Sequence, residues 1–144
     1  MRLAPVLLAF ACSALPAFAQ SEEDVMNRIE TIHGNAEGFF DVFGAMQDAV
    51  MLGDPTEIAH YGLYPLVVNA NGETYDVLEE QDLSDNFDAL VSPETLDALR
   101  TQDVADLIVT DEGVGIGDGA IWITNICLDD ACDQTQWGIF SINN

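Results

Sequence analysis

The sequence predicts an α+β domain with its helices first and its sheet last. Three observations carry that prediction. Apolar residues recur every three or four positions from Val25 to Val50, and again from Leu83 to Leu99, the repeat of helices with one buried face. The stretch LYPLVVNANGETYDVL sets an Asn71-Gly72 pair between two runs rich in β-branched and aromatic residues, a hairpin signature. From Val104 onward the chain is again β-branched and aromatic, punctuated by glycine and aspartate.

Residues 1–19 read MRLAPVLLAFACSALPAFA, with one positive charge at Arg2, an apolar run from Leu3 to Leu15, and Ala17-Phe18-Ala19 after Pro16. This is the pattern of a signal peptide cleaved after Ala19, and the run is too short to span a bilayer. Cys12 follows Ala9-Phe10-Ala11, a poor lipobox because Phe10 stands where small residues are wanted. Soluble export, to the periplasm or beyond, is the expectation. No second apolar stretch reaches spanning length, and residues 20–144 fit a single domain.

Ser21 with Asp24 three residues later reads as a helix cap. One long helix, or two joined near His33-Gly34-Asn35, then runs to Gly53-Asp54-Pro55 and buries the stripe Phe39, Phe40, Phe43. PTEIAHYG reads as a short helix capped by Asp54, with Pro55 in its first turn and Gly62 at its end. Pro65, early in the first strand, suggests an edge or entry position. The next helical stretch breaks at Ser92-Pro93, a cap followed by proline at the first helical position. The final third reads as three strands joined by two tight turns.

Within that third lies GVGIGDGAIW, where Gly115 to Ala120 matches G-x-G-x-x-A. A dinucleotide loop needs a helix to begin there, but AIWITNI is a strand and no cation is near. The hairpin reading places Asp118-Gly119 in the turn, Gly117 opposite Ala120, Ile116 opposite Ile121, and Gly115 opposite Trp122, where the glycine leaves room for the ring. Cys127 and Cys132 form the expected disulfide of an exported chain, facing each other across a four-residue loop and contributing roughly 2 kcal/mol. The same counting sets Trp122 opposite Trp137, and a one-residue slip would send the two rings to opposite faces.

Lys+Arg number 3 against 26 Asp+Glu, for a net charge of −23. There is no lysine, and loss of Arg2 with the signal peptide takes the charge to −24. Nucleic acid and anionic membranes are excluded as partners, since both require clustered cations. The acidity reads either as adaptation to a salty habitat or as a face that steers a cationic protein.

The order of elements, with GDPTEIAHYGLYPLVVNANG and EGVGIGDGAIWI, resembles small exported bacterial members of the nuclear transport factor two-like superfamily, over residues 30–144. That resemblance implies a cystatin-like cone: helices packed against a strongly curved, mostly antiparallel sheet, a pocket at the open end, and a homodimer through the open sheet face. Catalytic members place an Asp base, or an Asp-His pair, with Tyr donors inside the cone. No such motif aligns here, so no catalytic residue is carried over and no cofactor is implied.

His60, Tyr61 and Tyr64 are the leading pocket candidates, a titratable ring beside hydroxyl donors where helix meets strand. His60 needs a carboxylate such as Glu57 or Asp54 alongside to act as a base. Its plainer role is to cap or pack the helix end. Trp122 and Trp137 complete the set. His33, beside the helix break, has no partner visible in the sequence. No serine sits in a G-x-S-x-G turn. Asn69, Asn71 and Gly72 match three positions of a calcium loop that fails at Val67 and Leu78. Asp82, Asp85 and Asp88 read as a solvated face, and the Cys127/Cys132 pair without a flanking His is a weak zinc site, so no metal is expected. The sequence supports a non-catalytic module binding a small apolar ligand or a protein, with an isomerase- or dehydratase-like enzyme and an acidic inhibitor of a cationic secreted protein as alternatives.

Overall fold

In the computed structural model, which describes residues 20–144, two helices are followed by a hairpin, three short helices and a four-stranded run. The expected signal peptide lies outside the described residues. The helices are α1 (Glu22–His33), α2 (Ala36–Leu52), α3 (Glu80–Asp85), α4 (Phe87–Leu90) and α5 (Pro93–Thr101). The strands are β1 (Gly62–Ala70), β2 (Glu73–Val77), β3 (Ile108–Val109), β4 (Val114–Ile116), β5 (Ile121–Cys127) and β6 (Thr135–Asn143). Turns of 3₁₀ helix occupy Pro55–Tyr61 and Val104–Asp106. One mixed sheet has the order β2-β1-β6-β5-β4-β3, and only the β1–β6 pair is parallel. The α+β class is as the sequence predicts.

Local chemistry explains the helix ends. Ser21 and Asp24 form a full capping box at α1, and the Ser21 hydrogen bonds hold the Asp24 carboxyl below its usual range. That contribution is present above the unfolded pKa and is lost as pH falls through the folded one. Of the two helical readings, two helices is correct. Gly34 (φ 70°) and Asn35 (φ 50°) break the chain, and Asn35 Oδ1 accepts from Gly38 N at 3.2 Å. Asp54 does not cap the next turn; its Oδ1 accepts instead from the Thr56 hydroxyl at 2.8 Å. Ser92 caps α5 as expected, accepting from Thr95 N at 3.1 Å.

The first hairpin turns at Asn71 (φ 56°) and Gly72 (φ 77°), as its sequence predicts. The strand carrying Pro65 is interior, so of the two expectations the entry position holds and the edge does not. Proline fits because β1 pairs with β2 only from Leu66 onward, and the β1–β6 ladder is interrupted between Gly62 and Val67. The final third holds four strands, because a turn in which Thr110 N donates to Gly113 O (3.0 Å) splits its first part into β3 and β4. The glycine hairpin has the expected register, Ile116 on Ile121 and Gly115 on Trp122. A Cβ at Gly115 would lie 3.2 Å from the Trp122 ring, so glycine is what lets the indole lie flat there.

The next register differs. Cys127 pairs with Thr135 and Asn125 with Trp137, so β6 slides by three residues and the tryptophans do not face each other. Asp129 is the reason: its carboxylate accepts from Asp133 N (2.9 Å) and Gln134 N (3.0 Å), folding residues 128–134 into a longer loop. Cys132 lies in that loop at φ 59°, and its disulfide to Cys127 closes the loop without being a cross-strand pair. A bulge between Trp122 and Ile123 completes the offset.

The core lies between the helices and one sheet face. Val25, Ile29, Phe39, Phe43 and Met46 pack on Leu66, Val68, Ile123, Ile139 and Ile142. Phe40, expected on the buried stripe, is only half-buried, edge-on to Phe39. Asn144 ties three elements together: Oδ1 accepts from Ser92 N (2.7 Å) and the buried Thr95 hydroxyl (2.9 Å), while Nδ2 donates to Leu90 O (2.8 Å) and Asn69 O (3.1 Å). Asn144→Ala should lower the unfolding free energy by about 2 kcal/mol in urea titrations, because it strands partly buried donors and acceptors. A loss below about 0.5 kcal/mol would mean that solvent replaces these bonds.

Candidate functional site

The five residues singled out by sequence divide between three places. His60 is on the surface, its side chain 68% exposed, with Nδ1 3.5 Å from Glu80 Oε2. Glu80 of α3, and not Glu57 or Asp54, is therefore its carboxylate neighbour. Tyr61 is half-buried against the core and edge-on to His60. The Tyr64 ring folds back over Gly62, where any Cβ would collide with it, and its hydroxyl donates to Ala59 O at 2.6 Å. Burial, and then the negative charge of Glu80, push the Tyr64 phenol up to about 12. Trp137 is in the core, 4% exposed, and Trp122 is on the opposite face of the sheet. His60, Tyr61 and Tyr64 are thus together, the tryptophans are apart, and none of the five lines the clefts described below.

The helix-facing side of the sheet is filled with apolar side chains. Among the described residues the only buried polar side chain is Thr95, so no carboxylate, imidazole or phenol is fully enclosed. No group of three or more His, Cys, Asp or Glu among them could hold a metal ion. No helix among them is long and apolar enough to cross a membrane.

The opposite side of the sheet is open and, apart from Asp76 on the edge strand β2, uncharged. Cross-strand pairs align Asp76, Val67, Ser141, Trp122, Gly115 and Ile108 in one row, one residue from each strand. Below it, Leu63 covers Gly138, which pairs with Thr124. Above it, Thr74 donates to Asn69 (2.6 Å) and Asn69 to Asn143 (2.7 Å). Val67, Ile108 and Ile126 are 36%, 37% and 38% exposed, whereas their inward-facing neighbours Val68 and Val109 are buried. In a chain with 26 acidic residues, every strand among the described residues except β2 is free of charged side chains. For the inner face the core demands this; for the outer face it does not.

Several clefts indent the periphery, of which three are the roomier among those lined by described residues. One of about 420 Å³ lies between β2 and α3–α4 and is lined by Tyr75 and Asp82. The Tyr75 hydroxyl donates to Glu73 Oε2 at 2.9 Å, and that bond, ahead of desolvation, raises its phenol pKa. A second, about 440 Å³, is lined by Asp103, Asp106 and Asp118. The third, about 540 Å³, opens where α1 meets α2 and is lined by His33, Asn35, Asn125, Asp133 and Thr135. His33 Nε2 lies 2.7 Å from Thr110 O, its ring stands edge-on to Trp137, and Trp137 Nε1 donates to Asn35 O at 2.8 Å. Asn125 Nδ2 donates to His33 O at 3.1 Å, while Asn125 Oδ1 is buried without a hydrogen-bond partner. Sequence reasoning missed this cluster. His33 was visible beside the break, but Asn125 reaches it only through the β5–β6 register.

Rapid-mixing absorbance titration should show a tyrosine step near pH 12 that Tyr64→Phe removes and Glu80→Gln moves down. Persistence of the step in Tyr64→Phe would contradict the assignment. The chain matches no family model, no curated protein and no solved structure in the comparisons made with each.

Proposed function

We propose that this is an exported, non-catalytic binding module of the nuclear transport factor two-like type, a cystatin-like cone, that works through its open sheet face. The observation that carries the reading is an outer row whose five positions from Val67 to Ile108 bear no charge in a strongly acidic molecule, Asp76 on the edge strand being its one carboxylate. A solvated sheet face ordinarily carries polar and charged side chains, and an exposed apolar patch of this kind marks an interaction surface. A second copy of the chain is the occupant we favour, because an isologous contact needs a self-complementary patch free of like charges. The signal-peptide pattern of residues 1–19 supports delivery to the periplasm or beyond.

The filled interior weighs against an isomerase- or dehydratase-like enzyme, which needs a titratable group inside an apolar pocket. It also leaves a small apolar ligand only the peripheral clefts. The acidic-inhibitor reading keeps one observation in its favour, the net charge of −23, which suits a cationic protein partner.

Salt separates the two protein readings by sign. Two chains of like charge repel, so added salt should strengthen self-association, whereas a complex with a cationic protein should weaken. Sedimentation equilibrium should show a dimer that tightens several-fold or more from 0.05 to 1 M NaCl, at Debye lengths of roughly 14 and 3 Å. Trp122→Glu should leave the helical circular-dichroism signal intact and weaken the dimer at least tenfold, as expected for an aromatic anchor replaced by a charge. A monomer at every salt concentration would overturn the self-association reading.

A further inference from the structure

The cleft between the α1–α2 junction and the β5–β6 hairpin has a polarity of its own. Two carbonyls, His33 O at 3.1 Å and Gly34 O at 3.5 Å, face Asn125 Nδ2. That fixes the orientation of the amide and leaves Oδ1 as a buried acceptor with no partner. His33 Nε2 must carry its hydrogen, because its neighbour at 2.7 Å is the Thr110 carbonyl, so in the neutral ring Nδ1 is also an acceptor. Asp133 adds a carboxylate to the lining, and the Thr135 hydroxyl already accepts from Asn35 Nδ2 at 3.4 Å.

An anion does not fit there. Two of the α2 amides that would attract one are taken by the chain itself: Glu30 Oε2 accepts from Ala36 N (2.8 Å) and Asn35 Oδ1 from Gly38 N (3.2 Å). The polar side-chain atoms of the cleft are weighted toward acceptors: Asn125 Oδ1, His33 Nδ1 and the Asp133 carboxylate, against the Thr135 hydroxyl and one Asn35 amide hydrogen as donors. We infer that it binds an organic cation rich in N–H groups, a primary ammonium or guanidinium, with Asn125 Oδ1 and the Asp133 carboxylate as its acceptors. The volume of about 540 Å³ admits a complete small molecule or a Lys or Arg side chain presented by a protein. The inference is independent of the sheet-face reading, since the cleft shares no residue with the outer row.

The test is a ¹⁵N–¹H titration of the labelled protein with agmatine, which carries both a guanidinium and an ammonium. Tetramethylammonium at matched ionic strength controls for diffuse attraction, because it has the charge and no N–H donors. Agmatine should shift the Asn125 side-chain amide and the resonances of His33 and Asp133 saturably, and tetramethylammonium should not. Asn125→Leu should weaken agmatine at least tenfold. Because that change also removes the bond to His33 O, Asp133→Asn, at an exposed position, serves as the second variant and should weaken binding several-fold. A short peptide with one central arginine distinguishes the sources: tighter binding than agmatine supports a protein side chain, and weaker binding supports a free amine. Identical, unsaturated shifts with agmatine and tetramethylammonium, or no shift at Asn125, would overturn the inference.

Discussion

The placement of Trp137 on the helix junction is the contact on which the rest of this structure depends. Its ring meets Phe39 and His33 edge-on, at centroid distances of 5.2 and 5.6 Å, and its Nε1 is held by Asn35 O. With β6 fixed in this way, Ile139 and Ile142 also turn inward, and Asn125 becomes the cross-strand neighbour of Trp137. Asn125 therefore reaches the same junction. Trp122, an odd number of residues away along β5, is turned to the other face. One inward-facing indole thus establishes both the cleft and the open face.

Electrostatics sharpens the contrast between the two sides. At −23 the molecule is held together against its own repulsion, and with few cations to offset it the carboxylates must stay solvated. They occupy helix surfaces, caps and loops: Asp24 in the α1 box, Glu30 on the α2 amide, Asp129 in the hairpin loop. In those places carboxylates satisfy backbone donors and stabilise the turns that connect the elements. The outer sheet rows have no such use for a charge, and beyond Asp76 on the edge strand they have none.

Much of the fold was legible because local rules decide it. The Ser21 and Ser92 caps, the Gly34-Asn35 break, the Asn71-Gly72 turn and the Ile116–Ile121 register each depend on a few neighbouring residues. What sequence could not supply depends on distant residues. The β6 register follows from side-chain capping by Asp129 and from the docking of Trp137, neither of which has a periodic signature. Pro65 left edge and entry positions both open because the interruption that accommodates it is a property of the parallel β1–β6 pairing. The cleft was half visible for the same reason: His33 stood out, and Asn125 is joined to it across more than ninety residues of chain. Residues near one another in sequence, such as His60, Tyr61 and Tyr64, were easier to group, yet His60 is beside Glu80 at the surface and the Tyr64 hydroxyl is engaged with Ala59 O.

The chain holds two tryptophans, and labelling both with 5-fluorotryptophan gives the most direct test. ¹⁹F spectra in the presence of a soluble paramagnetic agent report how far each indole is open to solvent. At low protein concentration the account predicts one line broadened by the agent, Trp122, and one unaffected, Trp137. As concentration and salt rise, Trp122 should become protected while Trp137 stays unchanged. Equal sensitivity of the two lines would contradict the register, and a Trp122 line that stays open under all conditions would contradict the covered face.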